Sequence, residues 1–403
     1  MKNDNIIANT YQDIKVLSDI KINGKERPWK DKKMFSSLLE DSYKRLSEHE
    51  RALAKAIERD KKCVEIIGDV KACNRLDEEI MVRGRDAEYW IKRHVRVNGC
   101  ATYLIFKVVP DGSKKLHAAH FCQVRLCAMC GWRREIKIKS QLTQVFDEVE
   151  VEGYRFIMLT LTCKNVAGDE LSQTLDNMFS AFNKMFQLKK VKNSISGHFR
   201  ALEITHDTNR KITSKMYKEK KSYYDSKGLK VGDINPNFNM YHPHFHVMIA
   251  VKSKYFRKAE NYIKQAEWQA MWKQSLKVDY DPVVHVQVVK NSKGKSIKEA
   301  AKYTVKETDY IVKQDKHLTD ETVRVLDKAL RNRRLVAYGG IMKTIHKRLN
   351  LEEDVTADVN INEDEETIKE ESWILQEYQW NLGFKNYVMV ESGGNANEPK
   401  GTI

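Results

Sequence analysis

The sequence contains no long apolar run. Hydrophobic residues make up 41% of its 403 residues, yet no stretch approaches the roughly 18 consecutive apolar residues of a membrane-spanning helix. The N-terminal sequence MKNDNIIANTYQDIKVL has neither an apolar core nor a cleavage site of small residues, so it does not resemble a signal peptide. These absences argue against a membrane protein, and we expect a cytoplasmic chain.

A complete phosphate-binding loop is absent as well. Residues 294–296 spell Gly-Lys-Ser, as the end of a Walker A loop does. That loop requires another glycine five positions before Gly294, where this chain has Val289. The sequence therefore offers no nucleotide-driven motor.

Basic residues outnumber acidic ones, 71 against 56, for a formal net charge of +15. This excess favours a polyanionic partner, most simply nucleic acid, although a basic protein without such a partner has the same composition. Acidic residues concentrate in 352–371, which contains only one lysine. Because blocks of like charge are usually solvated, we interpret 351–372 as an acidic linker.

The middle of the chain alternates strand-like and helix-like segments. Apolar β-branched runs predict strands at 156–163, 198–205, 245–251 and 282–289, and helical spacing predicts helices at 170–191, 254–276 and 296–307. The order βαββαβ predicts an α+β fold with a ferredoxin-like core, in which helices cover one face of an antiparallel sheet. The other face is then available for a ligand.

This pattern divides the chain into six segments. They are a helical, partly mobile N-terminal arm (1–97), a cysteine-containing segment with a helix (98–150), the βαββαβ core (151–315) with a lysine-rich insertion (206–241), a helical extension (316–350), the acidic linker (351–372), and a C-terminal aromatic segment and tail (373–403). The sequence does not decide whether the aromatic segment folds back on the body or binds a partner.

Three histidines follow one another in YHPHFHVMIAV. Side chains alternate between the faces of a strand, so His242, His244 and His246 share one face. If the strand that contains Glu203 pairs with this one, its carboxylate lies beside the imidazoles. Two imidazoles and a carboxylate with open positions can bind a divalent cation and still admit a substrate. Ordinary surface histidines are the alternative.

The segment KEAAKYTVKE places Glu299, Tyr303 and Lys306 on one face of a predicted helix. Tyrosine is a poor nucleophile, with an ordinary pKa of about 10, but beside a metal-bound phosphate and lysines it becomes a plausible one. Tyr310 is a rival, although it lacks a glutamate four residues earlier. A tyrosine of the core is the alternative.

A cysteine motif lies ahead of the predicted core. Cys122, Cys127 and Cys130 have the spacing C-x4-C-x2-C. In a cytoplasmic chain this spacing favours a structural zinc site over a disulfide or buried thiols. The fourth ligand is left open between three candidates: Cys100, His117 and His120. The flanking arginines would present positive charge to DNA: Arg125, Arg133 and Arg134.

Taken in order, these motifs resemble those of the HUH endonuclease superfamily. His244-Phe245-His246 resembles its His-hydrophobic-His motif, FIMLTLTCKN resembles the first motif of rolling-circle plasmid replication initiators (Rep proteins), and KEAAKYTVK resembles their tyrosine motif. The resemblance covers residues 98–310 and is greatest to the type 1 family of Gram-positive plasmid replication proteins.

The resemblance implies an activity and a set of roles. Such proteins nick one strand at the double-strand origin and remain joined to the 5′ phosphate through tyrosine, which frees a 3′-OH primer. Tyr303 would be the nucleophile. His244 and His246, with Glu203, would bind Mg²⁺ or Mn²⁺. Glu299 would contact DNA and activate water for the terminating cleavage.

The resemblance also implies a zinc ligand and partners. Cys100 would be the fourth zinc ligand, because similar family members have a cysteine ahead of a hairpin there. Lys302 and Lys306 would join Glu299 in contacting DNA. The partners would be plasmid origin DNA, a host helicase and a DNA polymerase. The oligomeric state stays open, with a homodimer among the candidates.

Three other functions fit parts of the sequence. A single-tyrosine HUH transposase or a conjugative relaxase would use the same chemistry, although relaxases usually place the tyrosine before the histidines. A zinc-bearing DNA-binding protein would bind origin DNA without forming an adduct. A metal-dependent hydrolase would cut DNA with water as its nucleophile.

Overall fold

Helices and antiparallel strands alternate along the chain and form an α+β protein. The computed structural model describes residues 14–17, 21–22, 25–26, 28–67, 69–110, 112, 114–289, 294, 297, 305–351 and 373–395. The chain divides into two units, residues 1–137 with 354–403, and residues 138–353. Within the described residues, no helix has the length and apolar character needed to cross a membrane.

A pair of long antiparallel helices dominates the first unit, after a short ribbon of strands β1 (Lys21–Ile22) and β2 (Lys25–Glu26). Helix α1 spans Trp29–Ile67 and helix α2 spans Val70–Asn98, within the segment predicted as a helical arm. The rings of Tyr43 and Trp90 stack 5.7 Å apart, and Arg83 forms an ion pair with the buried Glu50. These contacts hold the two helices side by side.

The same unit contains a four-stranded antiparallel sheet in the order β11-β10-β3-β4. Its strands are β3 (Tyr103–Val108), β4 (Lys114–Ala119), β10 (Ile374–Asn381) and β11 (Asn386–Asn395). Strand β10 pairs with β3, and the Tyr387 hydroxyl donates to the Ala101 carbonyl at 2.6 Å. The C-terminal aromatic segment, whose placement the sequence left open, is thus a hairpin that extends this sheet.

The second unit is built on a five-stranded sheet in the order β8-β5-β7-β6-β9, with every neighbouring pair antiparallel. The strands are β5 (Tyr154–Thr162), β6 (Gly197–His206), β7 (Tyr241–Lys252), β8 (Val284–Val289) and β9 (Val336–Gly340). The centre of β7 is buried without interruption from Phe245 to Val251, as expected for a strand with both faces covered.

Helices pack on both faces of this sheet. On one face lie α4 (Gly168–Gln187) and α9 (Gln265–Leu276), and short helix α5 (Lys189–Ser194) follows α4. Phe182 and Trp272 of these helices pack against Phe245. On the other face, apolar residues of α3 (Ala128–Val151) and α12 (Ile341–Arg348) cover one half of the sheet. The other half carries the polar residues described below.

The structure adds detail to three of the segments inferred from the sequence. The insertion at 206–241 contains helices α6 (Ser214–Glu219) and α7 (Lys221–Ser226). The helix predicted at 254–276 is two helices, α8 (Lys254–Arg257) and α9, because the chain between them turns back and hydrogen-bonds the Tyr255 hydroxyl through Ile263. The extension at 316–350 is helical in α11 (Lys316–Leu330) and α12 but also contains strand β9.

Glycine explains why β9 was missed. A Cβ at Gly339 would lie 2.3 Å from the His198 ring, and one at Gly197 would lie 2.8 Å from the Gly339 carbonyl oxygen. Only glycine permits this close approach of two strands, and Val336–Gly340 is too short to show strand periodicity. Most of the helix predicted at 296–307 and all but residue 351 of the acidic linker lie outside the described residues.

Candidate functional site

Strand register brings one carboxylate and two imidazoles together. Glu203 of β6 is directly opposite His244 of β7, and His246 lies two residues further along the same face. On the other side of β7, Thr162 and Thr160 of β5 oppose the same two histidines. We call Glu203, His244 and His246 the carboxylate–histidine trio. It lies on the polar half of the sheet, beyond the end of the apolar core.

The trio is compact enough for one cation. Glu203 Oε2 lies 3.2 Å from His244 Nε2 and 2.8 Å from His246 Nε2. Burial alone would raise the pKa of Glu203, but the two imidazoles outweigh it and hold this pKa well below its usual range. Glu203 is therefore ionised at neutral pH. One carboxylate oxygen of Glu203 and one ring nitrogen from each of His244 and His246 lie close enough together to bind a single metal ion.

The third histidine of the motif has a different environment. His242 Nδ1 lies 2.9 Å from Asn165 Oδ1, and the His242 ring is not part of the compact set of ligand atoms formed by the trio. Burial and the neighbouring His244 and Lys220 lower the pKa of His242 to about 4. His242 thus shares the face of the trio but is oriented by a side chain of the loop after β5.

Four cysteines of the first unit converge in the same manner. The Sγ atom of Cys100 lies 3.6 Å from those of Cys130 and Cys127, and the Cys122–Cys130 pair is also 3.6 Å apart. Thiolates bound to zinc at about 2.3 Å in a tetrahedron lie about 3.8 Å apart. We call this group the four-cysteine cluster. It includes Cys100, whereas the alternative ligands His117 and His120 are exposed outside it.

Helix α1 contributes two polar residues that sequence reasoning missed. The Ser36 hydroxyl lies 3.3 Å from Cys127 Sγ and accepts from the Met129 amide. The buried Lys33 ammonium donates to the Cys100 carbonyl at 2.5 Å and to the Asn98 carbonyl at 3.2 Å. Burial lowers the pKa of Lys33, and the nearby cysteines oppose this shift. No local pattern links these residues to cysteines more than sixty positions away.

The arginines predicted to contact DNA make contacts within the protein. Arg134 donates to the Gln123 carbonyl at 2.8 Å and, at 3.4 Å, to the carbonyl of Arg125. The Arg133 guanidinium lies about 6 Å from the ring centroids of Trp29, Phe121 and Trp132. These contacts brace the loop between the cysteines, and a DNA contact by the arginines stays a prediction.

The predicted nucleophile falls outside the described residues, as do Glu299 and Lys302. The chain is described again from residue 305, where Lys306 is exposed and precedes the short helix α10 (Glu307–Tyr310). The Asp309 carbonyl lies 2.9 Å from His206 Nδ1, at the end of the strand that carries Glu203. The rival nucleophile Tyr310 is only 2% exposed, which is unsuited to an attack on DNA.

Comparison with known proteins places the chain in a family. Residues 113–388 match the family model Rep_1, described as replication protein. The chain belongs to the Rep_1 family of replication proteins. This result confirms the family that the ordered motifs indicated. The match includes the three clustered cysteines of the C-x4-C-x2-C motif and the whole trio.

Two of the relatives of this Rep_1 protein match nearly its full length, and a third matches two thirds of it. A Protein rep of Bacillus amyloliquefaciens is 36% identical over 400 residues, which is 94% of this chain and 98% of the relative. A Protein rep of Streptococcus pneumoniae is 32% identical over 389 residues, with the same two coverages. A Protein rep of a Bacillus species is 41% identical over 286 residues, 66% of this chain and 83% of the relative. No solved structure matches the chain.

Proposed function

We propose that this Rep_1 protein initiates rolling-circle replication of a plasmid by nicking one strand at the double-strand origin. The observation that carries the proposal is the carboxylate–histidine trio on adjacent strands of a replication protein. The order β8-β5-β7-β6, read along the chain as strands 4-1-3-2 of a βαββαβ unit, supports a ferredoxin-like HUH core. Strand β9 is then an addition to the edge of that core.

The trio fits a catalytic cation. Glu203, His244 and His246 would hold Mg²⁺ or Mn²⁺, which supplies polarisation of a phosphate and stabilises charge that develops on it. Three protein ligands leave positions open for substrate oxygens. The four-cysteine cluster would hold Zn²⁺ with no open position, so its role is structural.

Tyr303 would act as the nucleophile on a DNA phosphodiester. Its phenolate oxygen would form a bond to phosphorus as the bond from phosphorus to the 3′ oxygen breaks, and that oxygen would take a proton to become a free 3′-OH. The 5′ phosphate stays on the tyrosine, which conserves the bond for later strand transfer. The anchoring of Asp309 to His206 supports this role, because it holds the segment after Tyr303 against strand β6.

Glu299 would complete the cycle. A glutamate four residues before the nucleophile in the sequence can accept a proton from water, so that water cleaves the newly made origin when replication ends. The free 3′-OH would prime a DNA polymerase. The resemblance to plasmid replication initiators implies that a host helicase would separate the strands.

A denaturing gel tests this proposal. Purified protein with Mg²⁺ or Mn²⁺ and a 3′-labelled single-stranded oligonucleotide from the plasmid origin should give a labelled protein adduct, whereas a 5′ label should leave with the released fragment that ends in a 3′-OH. Tyr303→Phe should abolish the adduct and leave DNA binding intact. Tyr310→Phe should still form the adduct. An adduct that survives in Tyr303→Phe would refute the assignment of the nucleophile. Cleavage without any adduct would instead indicate a hydrolase, and binding alone a non-catalytic DNA-binding protein.

A plasmid-maintenance assay separates the remaining alternatives. A single-tyrosine HUH transposase or a relaxase would give the same adduct, so the gel does not distinguish them. A plasmid that carries this gene and its origin should replicate through single-stranded circles, and Tyr303→Phe should abolish its maintenance. This outcome would be specific to a replication initiator.

A further inference from the structure

A cleft of about 430 Å³ opens beside the carboxylate–histidine trio. One wall consists of strand ends, with Thr162 of β5, Thr205 of β6 and His242 of β7. The opposite wall is the insertion, with Met216, Lys220 and Tyr224. This volume lies within the range of about 300–1,000 Å³ that is typical of ligand sites. The cleft involves residues to which the nicking mechanism assigns no role.

The cleft continues the line of the trio. Thr205 and His242 are opposite each other, as Glu203 and His244 are, two residues further along the paired strands. At about 3.3 Å per residue, the two pairs lie about 7 Å apart on one face of the sheet. A phosphodiester held at the trio would therefore direct its neighbouring nucleotide toward the cleft.

A network of asparagines fixes the insertion in place. Asn165 Nδ2 donates to Asn237 Oδ1 at 2.9 Å, and Asn235 Nδ2 donates to the Asn209 carbonyl at 2.8 Å. The rings of Tyr217 and Tyr224 stack with an angle of 9° between their planes. The wall of the cleft is thus a built structure with defined side-chain positions, although its sequence is polar and lysine-rich.

The lining has the chemistry of a site for an unpaired nucleotide. Because Asn165 Nδ2 donates to Asn237, Asn165 Oδ1 accepts from His242 Nδ1, which leaves His242 Nε2 as an acceptor. Tyr224 is fully buried, and its hydroxyl has no hydrogen-bond partner among the described residues. Met216, which is half-buried, offers apolar surface for a base, and the exposed Lys220 offers a charge for a phosphate.

We propose that this cleft binds one unpaired nucleotide of the DNA strand adjacent to the scissile phosphate. Tyr224 and His242 contact the edge of the base, and Lys220 contacts the phosphate. The inference rests on the proposed function only in its choice of DNA as the ligand, because the cleft can bind a strand that is never cut. The insertion, with eight basic and two acidic residues in 210–230, supplies an electrostatic field suited to that strand.

Abasic scanning of a bound oligonucleotide tests the site. The probe is the tightest single-stranded sequence selected by the wild-type protein from a random DNA pool, so no nick site needs to be known. Its bases are removed one at a time, and affinity is measured by fluorescence anisotropy. We expect one position at which base removal weakens wild-type binding about tenfold. In Tyr224→Phe that penalty should fall about fivefold, because the hydroxyl contact is already lost.

Matched variants control for general effects. Tyr217→Phe removes a hydroxyl from the other ring of the stacked pair, outside the cleft, and should keep the full penalty. Lys220→Ala should weaken binding of the intact and abasic probes equally and reduce the salt slope by about one phosphate contact. Lys218 also lies in the insertion but does not line the cleft. Lys218→Ala should weaken binding of either probe less than twofold and leave the salt slope nearly unchanged.

The outcomes separate the two proposals. The same abasic penalty in wild type and Tyr224→Phe, with both folded by circular dichroism, would overturn the cleft assignment even if the covalent adduct forms. A penalty that Tyr224→Phe removes would support the cleft even if no adduct forms. Equal effects of Lys218→Ala and Lys220→Ala on the salt slope would count against a phosphate contact in the cleft.

Discussion

The four-cysteine cluster and the carboxylate–histidine trio are two ways to gather metal ligands. All four cysteines are at most 3% exposed, and a serine and a lysine of helix α1 surround them. The trio has only three ligands, and the His244 side chain retains 12% exposure. A closed set of four thiolates suits a metal that stabilises a fold, whereas an open set of three suits a metal that meets a substrate. The difference predicts separate consequences when each group is altered.

Loss of one cysteine should have the largest effect. In Cys127→Ser the cluster loses a buried thiolate, and zinc binding contributes on the order of 10 kcal/mol to the folding of small zinc domains. We expect the zinc content to fall from about one ion per chain to near zero, with a lower melting temperature and loss of DNA binding. Atomic emission and thermal unfolding measure these quantities.

The control for this prediction is Cys63→Ser, because Cys63 is exposed outside the cluster. It should retain zinc and stability. Full zinc content in Cys127→Ser would show that the cluster is not the zinc site.

Neutralisation of the trio's carboxylate should affect chemistry and leave the fold intact. Glu203→Gln keeps the shape of the side chain but removes the charge that draws a cation to His244 and His246. We expect adduct formation to fall by about 10²–10⁴-fold, as for loss of a major electrostatic contribution in other enzymes. Zinc content and melting temperature should change little, in contrast to Cys127→Ser.

Glu267→Gln is the matched control, since Glu267 is a surface carboxylate of α9 that pairs with Lys190. Mn²⁺ binding by isothermal titration calorimetry should be lost in Glu203→Gln and retained in Glu267→Gln. Normal Mn²⁺ binding and adduct formation in Glu203→Gln would remove the metal role from this residue.

The contrast between the two groups also shows what the sequence could predict. The C-x4-C-x2-C motif and the alternation of His244 and His246 are local patterns, so both were visible as candidate ligands. Glu203 required a guess about strand pairing, and the register of β6 with β7 places it as that guess requires. Lys33, Ser36 and Asn165 carry no local signal, because their roles depend on contacts between distant segments. Strand β9 was missed because glycines, not apolar periodicity, permit it.

The lysine behind the cysteines should have a smaller effect. Lys33 places a buried ammonium beside a cluster that would carry excess negative charge with zinc bound, and outer residues of metal sites typically change affinity 10–100-fold. In Lys33→Met we expect zinc to pass to a chelator at about tenfold lower chelator concentration. A colorimetric chelator competition measures this.

Lys62→Met is the comparison, since Lys62 is exposed on the same helix. Equal zinc retention in Lys33→Met, Lys62→Met and wild type would mean that Lys33 serves only to anchor helix α1 to the backbone carbonyls.

A histidine without a carboxylate should have the smallest effect at neutral pH. His198 lies on β6 among the rings of Phe182 and Phe186, with Arg200 nearby. Burial, with a smaller contribution from Arg200, lowers its pKa to about 4. The neutral form is therefore favoured in the folded state, so its contribution to stability is complete above the unfolded pKa of about 6.5 and is lost as the pH falls toward 4. Over this window we expect a loss of about 3 kcal/mol in the free energy of unfolding.

His198→Phe should flatten this part of the pH profile, measured by urea unfolding between pH 7 and pH 4, because phenylalanine does not titrate. The environment of His198 differs from that of the trio histidines. His244 and His246 share a carboxylate and are placed to hold a cation. His198 lies among aromatic rings, Gly339 and Arg200, and should serve packing alone. Adduct formation at pH 7 should therefore be unchanged in His198→Phe. A loss of adduct without a loss of stability would show that β6 contributes a catalytic histidine in addition to the two of β7.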